Sequence, residues 1–263
     1  MALRKFAREH MPRVSLNKIV DHCDRLLRIR EVNDYDGAVN GLQVQNSGSV
    51  SKIAAAVDAS LATAQMAVAA GADLLLVHHG LFWSKRHPWT GSNYELMRFL
   101  FEHDLAVYSA HLPLDVHPRL GNNAQLCRAL QFKKTRPFFF EQKQFIGLRT
   151  TTSVSRDDLF KRLLKAVDAR VTVLPGGPAV CKNIGVVTGG AGSHLKTAAA
   201  EGVDTFITGE GPHWTYALAE ELKINVLYGG HYATETFGVK ALAKALTQRF
   251  SIPSTFVDHP SGL

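Results

Sequence analysis

The chain has 263 residues, 46% hydrophobic and 20% charged, with a formal net charge of +7. That length buries a substantial core as one large domain or two smaller ones, and no apolar run approaches the ~20 residues of a membrane span. The three cysteines, Cys23, Cys127 and Cys181, lie far apart without C-x-x-C spacing, which points to a reducing, cytoplasmic setting and away from a thiolate metal site.

The N-terminal 14 residues are basic, lack an apolar signal core and read as a lead-in to a helix. Residues 15–30 have the spacing of an amphipathic helix, residues 33–36 of a polar turn, and Asn40-Gly41-Leu42-Gln43-Val44 opens a strand. A strand from Ile53, an Ala-rich helix closed by Gly71 and an apolar strand ending in His78-His79 predict a βαβ unit. Residues 81–93 (LFWSKRHPWTGSN) form a loop rich in aromatic and basic side chains. Whether it overhangs a site or is an ordinary surface loop stays open. A helix over residues 94–103 and a strand over 105–110 then deliver His111, and residues 122–130 read as helical.

Around residues 133–137 the composition turns basic and then aromatic, and a domain boundary is expected there. Strand 144–151, helix 155–167, strand 171–174 and a Pro-Gly-Gly-Pro turn follow. A second βαβ unit starts at Ile184, with helix 212–222, strand 225–228, a helix over about 233–249 and an edge strand with tail at residues 256–260. The fold class is α/β, two related sheets covered by helices.

Residues 53–80 align without a gap to residues 184–211, with Ile53/Ile184, Gly71/Gly202, Asp73/Asp204 and Gly80/Gly211 among the identities. In this alignment His79 matches Glu210. Downstream, Tyr108-Ser109-Ala110-His111 with Asp115 is echoed by Tyr228-Gly229-Gly230-His231 with Glu235. Such repetition predicts an internal duplication, with the histidines beyond the carboxyl ends of parallel strands, where sites form in such sheets.

Most of the 12 histidines are expected to be structural or exposed. His78 and His79 are adjacent, and Gly80 lets the chain turn so that their rings diverge, each toward a different ion. His231 and Glu235 share a face if a helix starts near residue 232. Pro113 disfavours a regular helix through His111 and Asp115, so His111 is the better candidate for donating to a carboxylate or holding a water. Glu210 supports the metals, contacts substrate or caps a helix. Imidazoles and carboxylates without thiolate suit zinc, iron, manganese, cobalt or nickel, and their number suits two divalent ions per chain.

Asn40–Val44, Val77-His78-His79-Gly80, His111–Asp115, Thr208-Gly209-Glu210, Gly230–Glu235 and the closing His259-Pro260-Ser261-Gly262-Leu263 resemble, in order, the motifs of the Ngg-interacting-factor-three-like family. Its members are known as GTP cyclohydrolase 1 type 2 homologues, and the resemblance spans nearly the whole chain. It implies two similar, intertwined three-layer α/β/α domains, residues 1–132 plus 229–263 and residues 133–228, with a di-metal site in the cleft between them. It also implies a toroidal homohexamer, the short form without the domain that some members insert. Carried over by motif, the metal ligands are His78, His79, Asp115, His231 and Glu235, with His111 nearby; Glu235, His111 and Glu210 are the candidates for moving protons. The expected activity is metal-dependent hydrolysis of a nucleotide-like or heterocyclic small molecule. The alternatives are a metal-binding or metal-delivery protein without turnover, and a ring that binds nucleic acid through basic clusters such as Lys133, Lys134 and Arg136.

Overall fold

The computed structural model describes residues 12–83 and 88–262. Most of the N-terminal lead-in, and the pair Lys85-Arg86 of the predicted loop, lie outside the described residues. Contacts divide the chain into two units, Met1–Pro113 with Val239–His259, and Leu114–Gly238 with Pro260–Leu263. Among the described residues no helix is long and apolar enough to cross a membrane.

The first unit is built on a five-stranded sheet. Strands β1 (Gly41–Val44), β2 (Ile53–Asp58), β3 (Leu74–His79) and β4 (Ala106–Ser109) are joined by the edge strand Ser254–Phe256 beside β2. β2, β3 and β4 run parallel and β1 pairs antiparallel with β4. The parallel strands are almost continuously apolar and buried, as helix-covered strands require. Helix α1 (Leu16–Leu27) buries Leu16, Ile19, Cys23 and Leu27, one stripe at helical spacing, and stops at Arg28 in the left-handed conformation. Helix α2 (Leu61–Ala69) opens with a capping box between Ser60 and Thr63, and α3 (Ser92–Glu102) follows. The Tyr108 hydroxyl donates to Asp24 at 2.8 Å, which ties the sheet to α1.

Helix α4 (Leu112–Asp115) contains Pro113, which the first turn of a helix tolerates because no intrahelical N–H bond is lost there. The division between units falls inside it.

The second unit has a six-stranded sheet. Its strands are β5 (Arg136–Glu141), β6 (Gln144–Ser155), β7 (Thr172–Pro175), β8 (Val180–Val186), β9 (Thr205–Thr208) and β10 (Asn225–Tyr228), in the spatial order β5-β6-β8-β9-β10-β7. β8, β9 and β10 are parallel; β6 and β7 run antiparallel to their neighbours. Its helices are α5 (Asn122–Ala129), α6 (Arg156–Val167), α7 (Leu195–Ala200) and α8 (Thr215–Glu221). Ser155 caps α6 by accepting from the Asp158 N–H. Helix α9 (His231–Phe250) begins in this unit and ends in the first.

The basic and aromatic segment expected to mark a boundary is strand β5, paired with β6 in a hairpin. Its turn residues Gln142 and Lys143 both have positive φ, the two-residue turn that matches strand twist, but without the glycine that normally announces it. Phe138 and Phe139 are fully buried and lie 6.2 and 5.7 Å, ring to ring, from Phe206.

Backbone pairing corrects one detail of the sequence alignment. Ile53 pairs with Leu74 and Ile184 with Thr205, as the ungapped repeat requires. Ala106 then pairs with Leu74, and Asn225 with Thr205. Ala106 therefore matches Asn225, Ser109 matches Tyr228, and His111 matches Gly230. The Tyr-x-x-His echo is out of register by one residue, so Tyr108 and Tyr228 face opposite sides of their sheets. Helices α4 and α9 start at the matching residues Leu112 and His231.

Candidate metal centre

In the first unit His78 and His79 end β3, and His111 occupies the turn before α4. Each offers a ligand atom, and these atoms lie within 4.8 Å of one another. Every Nδ1 is held by an oxygen. His78 faces the Ala110 carbonyl at 2.9 Å, His79 the Asp58 carboxylate at 2.8 Å, and His111 the Asp34 carboxylate at 2.8 Å. That arrangement fixes the ring and its tautomer and leaves Nε2 as the ligand atom, the usual setting of a metal-binding histidine.

Strand β1 and the turn before it hold these groups in place. Asn40 accepts from the His111 N–H at 2.7 Å and donates to Asp34 at 2.7 Å. Gln43 accepts from the Leu81 N–H at 2.6 Å and fills the space a side chain at Gly80 would need. Asp34 also accepts from the N–H groups of Tyr35 and Leu112. Burial pushes the Asp34 carboxyl up, but His111, Asn40 and the Tyr35 N–H outweigh it and hold it below the ordinary range. Trp83 donates to the Gly80 carbonyl at 2.7 Å, and its ring stands edge-on to His111 and His79 at 4.7 and 5.3 Å.

In the second unit α9 starts at His231, so His231 and Glu235 share a face one turn apart, Nε2 to Oε2 at 3.2 Å. Glu210, just beyond β9, faces His231 Nδ1 at 2.8 Å. Gly189 has a φ of +75°, and a Cβ there would collide with the Glu235 carboxylate. Its N–H donates to Thr234 at 3.1 Å, and its carbonyl accepts from the N–H groups of Gly209 and Glu210. Asp115, buried at the end of α4, accepts from Asn122 at 2.8 Å and from the Thr188 hydroxyl at 3.4 Å.

Burial pulls the His231 pKa down, but the Glu235 and Glu210 carboxylates outweigh it and raise it to about 9. Raised above the unfolded value near 6.5, this imidazolium contributes stability that is whole below pH 6.5 and is lost as pH rises through about 9. The shift corresponds to about 3 kcal/mol. Chelator-treated protein should therefore lose thermal stability between those pH values, and His231→Gln should flatten the profile. An equally steep profile in the variant would contradict this assignment. The thiols stay out of the chemistry: burial pushes Cys23 and Cys127 up to about 12.

Sequence reasoning missed the carboxylates Asp34 and Asp58, the Asn122 amide and Gly189. Asp58 carried a signal, since it closes an apolar strand beside the one that ends in the histidine pair. Gly189 is its repeat partner. Asp34 carried none, because His111 and Leu112, which tie it to the site, lie 77 and 78 residues away.

Comparison with known proteins agrees with the motif resemblance. The chain is 42% identical over 230 residues to a Deinococcus radiodurans protein named GTP cyclohydrolase 1 type 2 homolog, covering 87% of this chain and 88% of that one. It is 37% identical over 255 residues to a Pyrococcus horikoshii protein of the same name, covering 94% and 99%. The crystal structure of TTHA1606 from Thermus thermophilus is similar, with a TM-score of 0.88 and 36% identity over 95% of this chain and 100% of that one. The sequence pattern described as Duf34/NIF3 (NGG1p interacting factor 3) matches residues 14–261. With that match over nearly its whole length, the chain belongs to the Duf34/NIF3 family.

Proposed function

We propose that this chain is a cytoplasmic protein that binds two divalent metal ions and hydrolyses a nucleotide-like or heterocyclic substrate, of the kind its relatives' names suggest. In this reading His78, His79, Asp115, His231 and Glu235 are the metal ligands, and His111 supports them. The observation that carries it is the shared setting of four imidazoles, each with Nδ1 engaged by a carboxylate or carbonyl oxygen at 2.8–2.9 Å. The donor set is imidazole and carboxylate, which suits zinc, iron, manganese, cobalt or nickel.

Bound ions of this kind supply Lewis acidity toward substrate and water. The chain's own part is orientation and proton handling. Glu210 fixes His231 through Nδ1, and Glu235, buried against the same imidazole, is the carboxylate we assign to carry the proton. The toroidal hexamer implied by the motifs belongs to this reading, and light scattering of the purified protein checks it.

The test is turnover of GTP, followed chromatographically, by metal-loaded protein. Wild type is expected to consume GTP, and Glu235→Gln to lose at least a hundredfold in rate while remaining folded. If wild type turns over no nucleotide while His78→Ala still lowers metal content, the metal-delivery reading replaces this one. A salt-dependent DNA band shift abolished by neutralising Lys133, Lys134 and Arg136 would instead support the nucleic-acid reading.

A further inference from the structure

The second unit contains a cavity of about 550 Å³ that the metal ligands themselves do not use. It lies beyond the carboxyl ends of the parallel strands β9 and β10, the position where open α/β sheets place ligands. Its volume falls within the range of small-molecule sites, roughly 300–1,000 Å³. Glu210, Tyr228, Tyr232 and Arg170 line it, and Pro260 of the C-terminal tail forms part of the wall.

These walls have a definite chemistry. The Tyr228 hydroxyl is engaged with Thr215 at 2.7 Å, and burial raises the phenol's pKa, so the ring is a fixed apolar surface rather than an acid. A side chain at Gly211 would strike that ring. Glu210 is a half-exposed carboxylate, anchored through one oxygen to His231. Arg170 is an exposed cation in the lining, on the chain between α6 and β7. Aromatic surface, an acceptor carboxylate at one position and a guanidinium at another suit a planar nitrogen heterocycle with an anionic substituent. The ring N–H groups would meet Glu210, and the anion would meet Arg170 in the fork geometry that favours phosphate.

We infer that this cavity binds such a molecule, with Arg170 as the group that selects for its phosphate. The inference rests on the metal-site reading only in placing the ligand beside His231, through Glu210. Filter binding of labelled GTP to the full-length protein as purified tests it. Saturable binding is expected, weakened at least tenfold by Arg170→Ala and further by Arg170→Glu, whose exposed position spares the fold. Binding of guanosine is expected to be weaker and indifferent to both substitutions. The metal content of both variants, measured separately, should equal that of wild type. Absence of saturable GTP binding, or GTP binding unchanged by Arg170→Glu, overturns the inference and leaves the metal site standing. Loss of metal in Arg170→Ala also overturns it, because Arg170 would then act on the metal site rather than on the ligand.

Discussion

Gly189→Ala is expected to destabilise the protein by about 3 kcal/mol and to remove the Glu235 donor from its place. Two physical terms add. An L-residue in the left-handed region costs about 1–2 kcal/mol, and overpacking a filled site costs about 1–3 kcal/mol more. Gly189 sits at a φ of +75°, and the atom its new Cβ would meet is Oε1 of Glu235. The Glu235 side chain is 4% exposed and has no solvent into which to retreat. Thermal unfolding and metal content should therefore fall together. Gly202→Ala, at φ +80° but with open space around the new Cβ, should cost stability without touching the metal. Equal metal content in the two variants would show that the clash with Glu235 is irrelevant.

Asp34→Ala should have a comparable effect in the other unit, for a different reason. The carboxylate accepts from Tyr35 N–H, Asn40, His111 and Leu112 N–H, and its side chain is only 6% exposed. Leaving buried donors without their acceptor costs about 1–3 kcal/mol for each that water fails to reach, so a loss of about 3 kcal/mol is expected. His111 would also lose the contact that orients its Nε2, and outer partners of this kind are worth about 10–100-fold in metal affinity. Asp34→Asn keeps an acceptor and should fall between wild type and Ala. Because its carboxyl is held below the ordinary range, the stability it supplies is present above the unfolded carboxyl pKa. It is lost as pH falls through the lower, folded value. Acid unfolding of Asp34→Asn should accordingly show a shallower pH dependence than that of wild type.

The parallel strands, their crossover helices and the His231–Glu235 pair were legible in the sequence because each rests on local spacing. Apolar runs bounded by small residues and Gly71 announce β2, α2 and β3, and an i, i+4 pair at a helix start needs only that helix to form. The Tyr-x-x-His echo was legible but misaligned, since four-residue strands carry too little pattern to fix a register; only the pairs of Ala106 and Asn225 do so. The β5–β6 hairpin was hidden by a turn of Gln142 and Lys143 in place of Asn-Gly. The grouping of His111 with His78 and His79 depends on β3 and β4 pairing side by side. No spacing rule reports that.

Metal content of the purified full-length protein, by elemental mass spectrometry after loading with each candidate metal, tests the central claim most directly. About two ions per chain are predicted for wild type, the stoichiometry of a two-metal site. Both His79→Ala and Asp115→Ala, one from each unit, should fall well below that value while remaining folded. No bound metal under any loading condition, or the same content in both variants as in wild type, would contradict the account.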